Sequence, residues 1–106
     1  MDARTQALFE ARARILKAMA HPTRLYIVDR LSREEHCVGE LQELVGADVS
    51  TVSKHLAILN EAGLVRREKR ANQVFYSLTV PCVMNFFGCI ETVLQTSARQ
   101  TIELAR

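Results

Sequence analysis

Gly46 and Gly63 divide the middle of this sequence into blocks with different hydrophobic periods, and that division constrains the fold more than any other feature. Gly39 to Val45 reads as a short helix with Leu41, Leu44 and Val45 inward, ended by Gly46 at its C-terminal cap. Asp48 is placed to cap a second helix by accepting from the N–H of Ser50 or Thr51. That helix runs to about Asn60, with Val52, Leu56 and Leu59 on one face, and Gly63 closes it. The period then shortens. Leu64-Val65-Arg66-Arg67, a polar tip at Arg70-Ala71-Asn72, and Val74-Phe75-Tyr76-Ser77-Leu78 predict a β-hairpin. Two short helices joined by a glycine-containing turn and followed by a hairpin describe a helix-turn-helix over about 39–61 with a wing over about 64–78.

The flanks read as helices. Thr5 to Met19 carries Leu8, Ala11, Ile15 and Met19 at spacings of three and four. Pro22 opens a second helix that runs to about Leu31 and buries Leu25, Ile27, Val28 and Leu31. After the charged turn Arg33-Glu34-Glu35, Cys37-Val38 is a short extended stretch. A last helix spans about 80–104, with Phe86, Phe87, Ile90, Val93, Leu94 and Ile102 on a broad apolar face. The expected fold is therefore mostly α with a small β-hairpin, a single winged helix-turn-helix domain over 1–106. A chain of this size has a modest core, so a second copy adds valuable buried surface. No apolar run approaches the roughly 20 residues that span a bilayer, and the first ten residues carry no apolar signal core. A cytoplasmic protein with no membrane partner is expected.

The net charge of +2 is uninformative until it is mapped. Residues 1–49 carry seven basic and eight acidic side chains, and residues 74–106 balance to zero. Ser50 to Gln73 holds five basic residues (Lys54, Arg66, Arg67, Lys69, Arg70) against Glu61 and Glu68, net +3. This is an electrostatic footprint for phosphates. On the helix after Asp48, Ser50, Thr51, Ser53, Lys54 and His55 lie opposite the apolar face, where small hydrogen-bonding side chains meet base edges in a major groove. Lys54 and His55 are both expected to be exposed. Arg66, Arg67, Lys69 and Arg70 on the wing, with Gln73 beyond the tip, are expected on phosphates or in the minor groove. A charge run alone is more often a solvated hairpin; its position after a helix-turn-helix is what points to duplex DNA. The competing reading is a winged-helix module for protein contact. No cysteine has a supporting histidine and acid in an obvious catalytic arrangement, and no glycine-rich phosphate loop occurs, so an enzyme is not expected.

Several segments together resemble one family. Ala20-His21-Pro22-Thr23-Arg24-Leu25, Val38-Gly39-Glu40-Leu41, Ser50-Thr51-Val52-Ser53-Lys54-His55-Leu56, Ala62-Gly63-Leu64-Val65 and Phe75-Tyr76-Ser77-Leu78 look like the ArsR/SmtB family of bacterial winged-helix repressors. The resemblance implies a homodimer paired through the first and last helices that binds operator DNA and leaves it when an inducer binds.

Two inducer sites recur in that family. One uses histidines on the last helix; this chain has none after His55. The other uses Cys-Val-Cys, where this chain reads Cys37-Val38-Gly39, an incomplete site. Cys82 or Cys89 would have to complete it. Topology places Cys37 near Cys82, while Cys82 and Cys89 are separated by about 10.5 Å of helical rise, too far to share one ion. Three cysteines without a secretory signal argue for reduced thiols. No cofactor is obligatory. An arsenite-like ligand or soft metal ion bridging thiolates, a Cys37–Cys82 disulfide, or inert packed thiols all stay open, with core packing favoured for Cys89. His21 is expected to cap or pack, and His36 to point away from Cys37.

Overall fold

In a computed structural model, the structure describes residues 1–105, and the side chains of 1–97. The elements follow in the order α1 (Ala3–Met19), α2 (Pro22–Arg33), β1 (His36–Cys37), α3 (Val38–Val45), α4 (Val49–Glu61), β2 (Val65–Arg70), β3 (Gln73–Leu78) and α5 (Val83–Ala105). The three strands form an antiparallel sheet in the order β1-β3-β2.

The starts of α1, α2 and α4 are each fixed by a side chain that accepts an otherwise unpaired N–H. Asp2 accepts from Thr5 N–H at 2.7 Å before α1. His21 Nδ1 accepts from Thr23 N–H at 3.1 Å before α2, where Pro22 needs no donor partner. Asp48 accepts from Thr51 N–H at 2.7 Å before α4. Gly46 ends α3 with φ +76° and Gly63 follows α4 with φ +81°, left-handed conformations that glycine adopts without a Cβ penalty.

The core gathers one face of each central helix. Ile27, Val28 and Leu31 of α2, Leu41 of α3, and Val52, Leu56 and Leu59 of α4 are buried, and Leu64, Val65 and Tyr76 close the side toward the sheet. Burial of each such aliphatic side chain favours the fold by about 1.5–3 kcal/mol. Leu25, Leu44 and Val45, expected inside, are only half-buried at its edge.

The outer helices are different. On α1, Leu8 and Ile15, expected to face a core, are 48% and 43% exposed, and Phe9 and Leu16 beside them are also open. On α5, Val83, Met84 and Phe87 touch the core, whereas Phe86, Ile90, Val93 and Leu94 are exposed. Ile102, expected on the same face, lies outside the residues whose side chains are described. No helix among the described residues is long and apolar enough to cross a membrane.

Candidate nucleic-acid interface

The division of α4 into two faces carries the site. Val52, Leu56 and Leu59 anchor it, and Ser50, Thr51, Ser53 and Lys54 are exposed on the rest of its surface. The carboxyl of Asp48 sits at the N-terminus, held below its ordinary range chiefly by the N–H of Thr51. It stays ionised there, and it occupies one of the first-turn donors that would otherwise receive a phosphate.

His55 corrects the expectation of an exposed pair. Its ring lies 4.5 Å, centroid to centroid, from that of His21, tilted by 45°. It is half-buried, and its Nδ1 is buried without a hydrogen-bond partner. Burial, then the nearby His21 and Arg24, lower its pKa and hold it neutral at pH 7. The reason is geometric: position 55 neighbours 52, 56 and 59 on the helix and turns toward the start of α2. His55 therefore fixes α4 to α2 instead of standing free beside Lys54.

The register of the wing sorts its charges onto two faces. Val65, Arg67 and Lys69 stand opposite Leu78, Tyr76 and Val74, while Arg66, Glu68 and Arg70 stand opposite Ser77, Phe75 and Gln73. Arg67 and Lys69 thus share the face that turns toward α4. Arg67, Val74 and Tyr76 of the wing line one groove with Val49, Ser53, Ala57 and Asn60 of α4 and with Val38 at the start of α3. Val49, Ala57 and Asn60 escaped the sequence reading. The signal for Val49 and Ala57 was present in the i, i+4, i+8 ridge 49-53-57 left over once 52, 56 and 59 are assigned to the core, and Asn60 follows Ala57 at i+3.

Arg70 requires a second correction, because it is not a free cation. Its guanidinium donates to both carboxylate oxygens of Glu35, one at 3.0 Å, and to Glu68 at 3.1 Å, and lies 4.9 Å over the Phe75 ring. Glu35 is correspondingly held below its ordinary carboxylate range by Arg70. The side chain reaches from β2 across β3 to the residue just before β1, and it latches the wing to the α2–β1 connection. Arg66, Lys69 and Gln73 are exposed.

The three cysteines are free thiols. Cys37 is half-buried on β1 opposite Phe75, and its N–H donates to Glu40 at 3.1 Å. This places it three residues, about 10 Å of strand, before the end of β3 at Leu78. Cys82 is exposed in the connection before α5. Cys89, for which core packing was favoured, is exposed on α5, a helix that continues through Gly88. Among the described residues, no group of three or more His, Cys, Asp or Glu side chains is set to hold a metal ion. His36 is 3% exposed opposite Tyr76, with Nδ1 3.4 Å from Glu40.

A helix whose polar face is open, standing beside a basic hairpin, defines a winged-helix DNA-binding regulator. The model of the bacterial regulatory protein arsR family matches residues 21–67. A biofilm growth-associated repressor of Xylella fastidiosa is 34% identical over 88 residues, 83% of this chain and 77% of that protein. The crystal structure of NolR from Sinorhizobium fredii superposes with a TM-score of 0.81 at 34% identity, covering 88% of this chain and 93% of that one. The solution structure of a homodimeric winged helix-turn-helix DNA-binding domain from Mycobacterium bovis superposes with a TM-score of 0.79 at 27% identity, covering 94% of this chain and 93% of that one. This chain belongs to the ArsR family of bacterial transcriptional regulators, and it is a regulator, not an enzyme.

Proposed function

We propose that two copies of this chain, paired through α1 and α5, occupy an operator in the cytoplasm and repress the genes beside it. The observation that supports this most directly is that Ser50, Thr51, Ser53 and Lys54 of α4 are open to solvent beside Arg67 and Lys69 of the wing. In this reading Ser50, Thr51, Ser53 and Lys54 meet base edges, while Arg66, Arg67, Lys69 and Gln73 hold backbone phosphates. The pairing of copies is supported by the exposed Leu8, Phe9, Ile15 and Leu16 of α1 and Phe86, Ile90, Val93 and Leu94 of α5, more apolar surface than a lone small domain usually leaves open.

Release by a thiol-directed inducer is the finer part of the proposal. Cys37 supports it because the residue joins the start of α3 to the sheet that carries the wing. A trivalent arsenical or soft metal ion would bridge Cys37 to a further thiolate, and an oxidant would join it to one as a disulfide. Native mass spectrometry with arsenite, zinc and a mild oxidant, read beside operator binding, separates these inducers.

The test of the main reading is binding to duplex DNA across a salt series. Each phosphate contacted contributes about −0.9 to the slope of log K against log salt. A steep slope is expected; a flat one, with a protein ligand bound instead, overturns the reading in favour of an interaction module.

A further inference from the structure

Val49 is the first helical residue of α4 and is 51% exposed. It is not part of the buried cluster, and it lines the open groove between α4 and the wing together with Val38, Ser53, Val74 and Tyr76. A β-branched side chain there is unfavourable in two ways. It has lower helix propensity than the unbranched residues and it leaves apolar surface in water. Both features are relieved if something apolar covers it. Ser53 and Ala57 follow at successive turns, so the ridge that faces Arg67, Val74 and Tyr76 of the wing is built from small residues beyond Val49 and ends at Asn60. Small side chains let a partner approach the helix backbone closely.

The occupant of this ridge follows from the proposed function, on which the inference rests: it is the major groove of a duplex. That groove presents one apolar group on its base edges, the C5 methyl of thymine. We infer that Val49 selects a thymine in each half-site by packing on that methyl, with Ser53 and Ala57 admitting the base edge beneath it. Val49 is a specificity-determining residue rather than an anchor, because it carries no charge and reaches no phosphate.

Uracil tests this directly, since it pairs as thymine does and lacks only the methyl. The preferred duplex is first selected from a random pool with the wild-type protein. Each thymine is then replaced singly by uracil. At one thymine per half-site the replacement is expected to weaken wild-type binding about fourfold, the value of one buried methyl-sized group. Val49→Ala is expected to bind thymine and uracil duplexes alike, and Val49→Thr, which keeps a branched methyl, is expected to retain much of the preference. Uracil tolerated at every position overturns the inference, as does an undiminished uracil penalty in Val49→Ala. If the selection enriches no duplex at all, the DNA-binding reading itself falls; a selected duplex indifferent to the methyl removes only the role of Val49.

Discussion

The rings of His21 and His55 meet at 4.5 Å, one capping the start of α2 and the other standing on the helix proposed to enter the groove. This contact joins the orientation of α4 to the protonation state of an imidazole. The folded pKa of His55 lies below its ordinary 6.5, so the unfolded chain binds more protons as the solution is acidified. The stabilisation it contributes is complete above pH 6.5 and is lost as pH falls below that value toward the lowered folded pKa. Urea unfolding is expected to show a lower midpoint at pH 5.5 than at pH 7.5, and His55→Gln to reduce the difference. An equal pH dependence in the variant would show that His55 is not its source.

Lys54 and His55 are adjacent in sequence and are expected to behave differently when replaced. Lys54→Ala is expected to weaken operator binding by about 1–3 kcal/mol while leaving the urea midpoint unchanged. His55→Ala is expected to lower the midpoint, because it removes a packed ring against His21. Matching unfolding curves for His55→Ala and the wild type would contradict its buried placement.

The two wing cations Lys69 and Arg70 likewise diverge. Lys69→Ala is expected to reduce the slope of log K against log salt by about 0.9, the signature of one lost phosphate contact. Arg70 is already paired with Glu35 and Glu68, so Arg70→Ala is expected to change the slope by clearly less while lowering affinity through a displaced wing. A slope change equal to that of Lys69→Ala would place Arg70 on the DNA after all.

For the apolar face of α5, Ile90→Glu is expected to shift the chain toward monomer in sedimentation experiments and to weaken operator binding with it. Leu56→Ala, at a fully buried position, is expected to cost about 2–5 kcal/mol in stability. Retention of dimers by Ile90→Glu would remove α5 from the pairing surface.

Cys37→Ser is expected to bind the operator normally and to lose its response to thiol-directed agents, read by anisotropy before and after arsenite or oxidant. Full release of DNA from this variant would eliminate Cys37 as the sensor.

The elements were legible because their signals are local. Gly46, Asp48, the 52-56-59 spacing and the change of period after Gly63 each act within a few residues, and the structure places a cap, a buried face and a strand where they stand. What stayed hidden depends on residues far apart in the chain. Arg70 reads as a free charge until Glu35 is brought to it across β3. His55 reads as part of a polar face until His21 is placed beneath it. The apolar spacing of α1 is the same whether the covering surface comes from its own chain or from another, so periodicity alone put Leu8 and Ile15 in a core that one protomer does not supply.

The wing turns through Ala71, whose φ of +53° lies in the left-handed region. An alanine there sits about 1–2 kcal/mol above its right-handed conformation, and a two-residue hairpin loop favours glycine at such a position. The tip is consequently the least self-sufficient part of the hairpin. That turn is clasped at its foot, because Arg70 ends β2 opposite Gln73 and its guanidinium is anchored on Glu35 of the body of the protein. Motion of the α2–β1 connection is thereby transmitted to the far end of the blade, and a change at the turn is felt in return at Glu35.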